Sequence, residues 1–168
     1  LDYRIGSVHF IPSDSGPVDI DGRYESFKAK MERYFCNDIR HVVKEFYRQS
    51  TAMIEAGGFD IIGHFDKIGH NAGHFREGIE DEAWYRSLVD DLIDLIISSG
   101  ITVELNTKAW KEHRRMFPGQ RYLARLVGAG VPIVVNSDAH VPALIDASRS
   151  DAFAMLDELR SAKRNVSI

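Results

Sequence analysis

Four short apolar runs, each ending on a polar or ionisable residue, limit what this chain can become more than any other feature of it. They close on Ser7-Val8-His9, Ile61-Ile62-Gly63-His64, Val103-Glu104-Leu105-Asn106 and Val134-Val135-Asn136-Ser137-Asp138-Ala139-His140. Short apolar runs of this kind fit strands covered on both faces, the usual condition of a parallel sheet. The spans between them carry helical periodicity. Phe27, Met31, Tyr34, Phe35, Ile39, Val42, Val43, Phe46, Tyr47, Met53 and Ile54 recur at three- and four-residue steps. Asn37-Asp38 is placed to cap a second helix and split that span near Cys36, and Gly57-Gly58 stops it. Trp84, Leu88, Leu92, Ile93 and Ile96 form the apolar face of a helix capped by Gly100. A further helix is expected from Pro118 to about Val127, ended by Gly128 and Gly130. A last one, from about Asp151 to Ala162, carries Phe153, Leu156 and Leu159 at core spacing.

Strand and helix therefore alternate, which predicts α/β architecture with parallel strands and crossover helices. No Gly-rich phosphate loop follows any strand, so a dinucleotide-binding sheet is disfavoured. A barrel of (β/α) units sets its functional residues on the C-terminal ends of several strands, the pattern seen here. Residues 12–22, rich in Pro, Ser, Gly and Asp, and the stretch Phe65 to His74 both read as polar surface loops.

Composition narrows the function classes. The chain of 168 residues can bury one real core and reads as a single domain over 1–168. A formal net charge of -4 argues against nucleic acid as the partner. No run of about 20 apolar residues is present to cross a membrane. Cys36 is the single cysteine, so no internal disulfide forms, and a reducing, cytoplasmic setting is expected. Cys36 itself reads as a core residue of the helical stretch. The chain runs straight from Leu1 into a strand pattern, and the expectation is that an N-terminal part of the fold precedes it.

The residues that carry chemistry are His9, His64, Asp138 and His140. Taken singly, each has a plainer reading. A strand-end histidine is commonly just hydrogen-bonded, and Ser137-Asp138 could cap a helix. Their recurrence on three of four strand ends favours a metal centre. Imidazoles with a carboxylate suit zinc, iron or manganese. The Asp-x-His spacing turns both side chains to one side of an extended segment. Asn106 is a candidate substrate or outer contact. Glu104 either positions a ligand from inside the sheet or pairs with a lysine. Lys67, Lys108, Lys111, Arg114 and Arg115 are the cations available for an anionic substrate, with surface solvation the plainer reading of each. His70 and His74 read as solvated loop residues.

Ser7-Val8-His9-Phe10, Asp60-Ile61-Ile62-Gly63-His64-Phe65-Asp66, Glu104-Leu105-Asn106-Thr107 and Asn136-Ser137-Asp138-Ala139-His140 resemble motifs of the PHP (polymerase and histidinol phosphatase) family. The closest type is the histidinol-phosphate phosphatase of histidine biosynthesis. The resemblance covers nearly the whole chain; the His64-x-Asp66 and Ser-Asp-Ala-His runs are its specific parts. It implies the C-terminal portion of a distorted TIM-like barrel. It implies metal ligation by His9, His64, Asp138 and His140, with Asp138 and His140 also catalytic, and two or three divalent ions in the complete site. It implies hydrolysis of L-histidinol phosphate, with Asn106, Lys111 and Arg115 contacting the substrate. The family's His-x-His motif and a bridging Glu have no counterpart here, and Lys111 stands where the family carries an Arg. Activity is therefore expected of the complete protein and little of this chain. Self-association through exposed strand edges is expected too. Two alternatives stay open. One is a PHP-type esterase acting on another phosphate, such as phosphotyrosine in protein or a sugar or nucleotide phosphate. The other is a truncated, inert metal-binding or assembly domain.

Overall fold

The computed structural model describes residues 2–166. In chain order the first half holds β1 (Ile5–Gly6), β2 (Phe10–Ser13), β3 (Gly16–Asp19), α1 (Tyr24–Phe35), α2 (Ile39–Ala56), β4 (Ile61–Ile62) and α3 (Ile68–Phe75). The second half holds α4 (Ala83–Ser99), β5 (Thr102–Asn106), α5 (Trp110–His113), α6 (Gln120–Ala129), β6 (Ile133–Asn136) and α7 (Arg149–Val166). These elements form two compact units. One gathers the residues up to Gly6, Gly58–His64 and those from Ile96 onward; the other gathers Ser7–Gly57 and Phe65–Leu95.

The first unit is built on the four expected strands. They form one parallel sheet in the order β1-β4-β5-β6, with Ile5 opposite Ile61, Ile61 opposite Thr102, and Asn106 opposite Asn136. The order follows the chain because each crossover returns the next strand beside the last. Period-two alternation divides β5. Val103 and Leu105 are fully buried, and Leu105 packs with Met116, Leu123, Val127, Ala152 and Leu156, supported by Ile133 and Val135 of β6. Thr102, Glu104 and Asn106 take the other face. β1 and β6 are the outer strands, and Ile5 and Val134 on them are exposed.

In the second unit Phe27, Met31 and Phe35 of α1 and Val42, Val43, Phe46 and Tyr47 of α2 are buried, as their spacing requires. Tyr47 stacks edge-on against Tyr85, and its hydroxyl donates to the Tyr85 hydroxyl at 3.2 Å. Asp38 does cap α2, its carboxylate accepting from the His41 N–H at 2.9 Å.

Several expectations need correction. Residues 12–22 are not wholly loop, because Phe10–Ser13 and Gly16–Asp19 pair as an antiparallel hairpin. Ile11 and Val18 face each other in it and are buried, which offsets the poor strand propensity of Pro12, Pro17 and Gly16. Phe65–His74 is not a loop either. Ile68, Gly69, Asn71 and Ala72 are buried in α3, and the Asn71 amide donates to the Ile20 carbonyl at 3.3 Å. Tertiary burial there outweighs the helix cost of Gly69 and Gly73. Cys36 is exposed rather than core, because it is the left-handed C-cap of α1, with φ 48°. Pro118 precedes its helix, which begins after Gly119, and Gly128 lies inside that helix while Gly130 ends it.

Candidate functional site

The C-terminal ends of β4, β5 and β6 bring the strand-end residues of the first unit onto one buried carboxylate. Glu104 is only 3% exposed. Its Oε2 accepts from the His64 backbone N–H at 3.1 Å and from the Asn106 side-chain amide at 3.2 Å. Its Oε1 accepts from the Asn136 amide at 2.7 Å. A carboxylate removed from water is costly unless hydrogen bonds replace its hydration, and here three donors do so. His64 follows Gly63 directly, is buried, and has φ 22°, a turn that the Glu104 bond holds in place.

Each asparagine passes this order on. Asn106 Oδ1 accepts from the Lys108 N–H at 3.0 Å, and Asn136 Oδ1 accepts from the Asp138 N–H at 3.4 Å. Both are two-residue side-chain turns of the kind asparagine favours. They set Lys108 against Asp138, whose Oδ2 accepts from the Lys108 ammonium at 3.0 Å, with His140 Nδ1 at 3.2 Å from the same ammonium. His140 Nδ1 also lies 2.8 Å from the Asp138 carbonyl. In the tautomer that donates to this carbonyl, the Nε2 atom carries the lone pair. The following loop is tied down by the Ser137 hydroxyl on the Ile145 carbonyl at 2.8 Å and the Thr107 hydroxyl on the Ala147 carbonyl at 2.6 Å.

The second unit holds a separate constellation. His9 Nδ1 donates to Asp21 Oδ2, which also accepts from the Lys67 ammonium at 2.9 Å. This contact assigns the proton of His9 to Nδ1 and leaves the lone pair on Nε2, the tautomer that carboxylates impose on ligating histidines. Burial alone raises the Asp21 carboxyl, but the His9 hydrogen bond and the Lys67 charge prevail and hold it below its usual 3.8. The stabilisation is therefore complete above pH 3.8 and is lost as pH falls below that value through the lower folded pKa. Asp21→Asn is expected to destabilise the chain by about 1 to 3 kcal/mol at neutral pH. Thermal melts of the two proteins should converge as the solution is acidified below that range.

Of the residues expected from the sequence, Asp138 and His140 lie together with Lys108, and His64 and Asn106 share the Glu104 carboxylate. His9 stands with Asp21 and Lys67. Lys111 is exposed on α5, and the Arg115 guanidinium lies over the Phe117 ring at 5.4 Å. It is Lys108, not Lys111, whose ammonium reaches Asp138 and His140. His70 and His74 are on α3 with rings 4.7 Å apart, rather than in a loop. Sequence reading missed Asp21 and left the role of Glu104 open. Asp21 sits in an aperiodic Asp-Gly pair, and only the fold shows that it meets His9.

The donor chemistry fits divalent ions in kind. The Asp138 carboxylate faces a cation, the Lys108 ammonium, and the His140 imidazole lies beside the same pair. Among the described residues, however, no group of three or more His, Cys, Asp or Glu side chains is assembled as a metal site. None of the described helices is long and apolar enough to cross a membrane.

No family model matches the chain. It is 26% identical over 155 residues to the "Probable histidinol-phosphatase" of Deinococcus radiodurans, a match covering 90% of this chain and 52% of the relative. The chain thus spans about half the length of the curated relative it matches. Its fold is similar to a crystal structure of the "putative histidinol phosphatase hisK" from Listeria monocytogenes, with a TM-score of 0.75 and 17% identity, over 88% of this chain and 56% of that one. In sequence and in α/β fold, the chain is similar to histidinol-phosphatase-type proteins of the PHP family.

Proposed function

We propose that this chain carries part of a metal-dependent phosphomonoesterase site of the histidinol-phosphatase type, with L-histidinol phosphate as the substrate. The observation that supports this most is the meeting of Lys108, Asp138 and His140 beside the His64 turn, at the ends of three adjacent parallel strands. Strand ends are where (β/α) folds hold their chemistry. His64, Asp138 and His140 would supply ligands from one unit. His9, its Nδ1 committed to Asp21, is proposed as a ligand from the resemblance and from its chemistry. Divalent ions bound there would supply positive charge for the phosphate oxygens and acidify a water.

The chain's own residues do the rest. Lys108 offers its ammonium to an anionic oxygen, with Asp138 holding it by an ion pair. Asn106 and Asn136 fix the backbone from which these groups project. Histidinol phosphate, a phosphotyrosyl peptide and a sugar phosphate, each assayed with added manganese or zinc, test the reading. Faster release of phosphate from histidinol phosphate than from the other two is the expected result. A preference for the phosphopeptide would move the assignment to a protein phosphatase, and no turnover of any ester would remove the enzymatic reading of this chain.

A further inference from the structure

The proposed chemistry does not require Glu104 to touch substrate or metal, yet its buried carboxylate accepts three hydrogen bonds within the first unit. Asn106 and Asn136 are register partners on β5 and β6. Each donates its amide hydrogen to Glu104 and turns its oxygen back to the N–H two residues on. The two turns are copies of one another, related across the β5–β6 ladder, and they share one acceptor. The third donor is the backbone of His64 on the neighbouring strand end. An amide side chain has one donor end and one acceptor end, so an acceptor at Glu104 also decides which way both asparagines point.

We infer that Glu104 is a positioning residue: one buried carboxylate that sets the backbone at His64, Lys108 and Asp138 together, directly in the first case and through an asparagine in the other two. The inference deepens the phosphomonoesterase reading and rests on it for its functional meaning, but its geometry stands apart from any activity. With a neutral amide in place of the carboxylate, an NH2 group would face an asparagine NH2. That asparagine must then turn over, and its two-residue turn opens. A half-satisfied buried network of this kind is worse than none.

Amide hydrogen exchange on the full 168-residue chain tests this. In Glu104→Gln, either the Asp138 N–H, or the Lys108 and His64 N–H groups together, should exchange about ten- to hundredfold faster. The ladder amides of Val103 and Leu105 should keep their protection. Asn136→Ala should loosen Asp138 alone and leave Lys108 unchanged. The paired variant Glu104→Gln with Asn136→Asp exchanges donor for acceptor across the same contact and should restore protection at Asp138. Uniform acceleration along β5 and β6, no acceleration at any of the three amides, or no rescue by the paired variant would each overturn the inference. Phosphomonoesterase assays on the same proteins keep the two readings apart. An inactive wild-type chain with the expected exchange pattern removes the proposed function and leaves the positioning role.

Discussion

In the complete protein, Asp138→Asn should lower the proposed phosphomonoester hydrolysis by at least about a hundredfold, the upper end of what loss of a merely supporting partner costs, while leaving the melting temperature almost unchanged. The two outcomes separate because the substitution keeps shape and removes charge. Asp138 has φ 48°, a left-handed conformation that asparagine adopts as readily as aspartate. Its backbone N–H keeps the Asn136 contact. The ion pair with Lys108 is only part-buried, with side chains 45% and 31% exposed, so its loss costs less than about 1 kcal/mol. A preparation that turns over phosphomonoesters equally well before and after this change would remove Asp138 from the chemistry. A matching loss of thermal stability would make its role structural.

Leu123→Ala should have the opposite signature. Leu123 is fully buried on α6 among Leu105, Met116, Val127, Ala152 and Leu156. Truncation leaves a cavity that this close-packed cluster cannot fill, costing about 2 to 5 kcal/mol. For a chain of this size that corresponds to a drop of roughly 10 °C in melting temperature. The cost falls on the helix layer that supports β5 and β6, and so on the strand ends beyond it. Denaturant melts measure it directly. A loss below about 1 kcal/mol would show that α6 is not packed on the sheet as described.

Arg48, exposed on α2, forms an i,i+3 pair with Glu45, and Arg76 pairs with Glu82 at 2.7 Å. Such surface pairs contribute little. Asp21 differs because its carboxylate serves two partners at once.

The sequence by itself determined the four strands of the parallel sheet. Strand signals are local: Ile61-Ile62 are apolar, and Val103 and Leu105 alternate with Glu104 over a span that the chain's own periodicity reveals. The helix limits at Asp38, Gly57, Gly100 and Gly130 were legible for the same reason, since caps act within a few residues. The strand-end positions of His64, Asp138 and His140 followed from where each apolar run stops. The tertiary structure alone decided which polar groups meet. Glu104 looked equally fit to pair with a lysine or to orient a neighbour, and only the β5–β6 register brings Asn136 to it. Lys108 and Lys111 were indistinguishable as cations until the Asn106 turn aimed one of them at Asp138. Asp21 was invisible because its partner His9 lies 12 residues away across the hairpin. α3 formed against its glycines because Ile68, Asn71 and Ala72 have a surface to bury against. Local pattern encodes the backbone's periodicity. The pairing of polar groups is a long-range outcome, settled by burial and by the need to satisfy every donor and acceptor that burial removes from water.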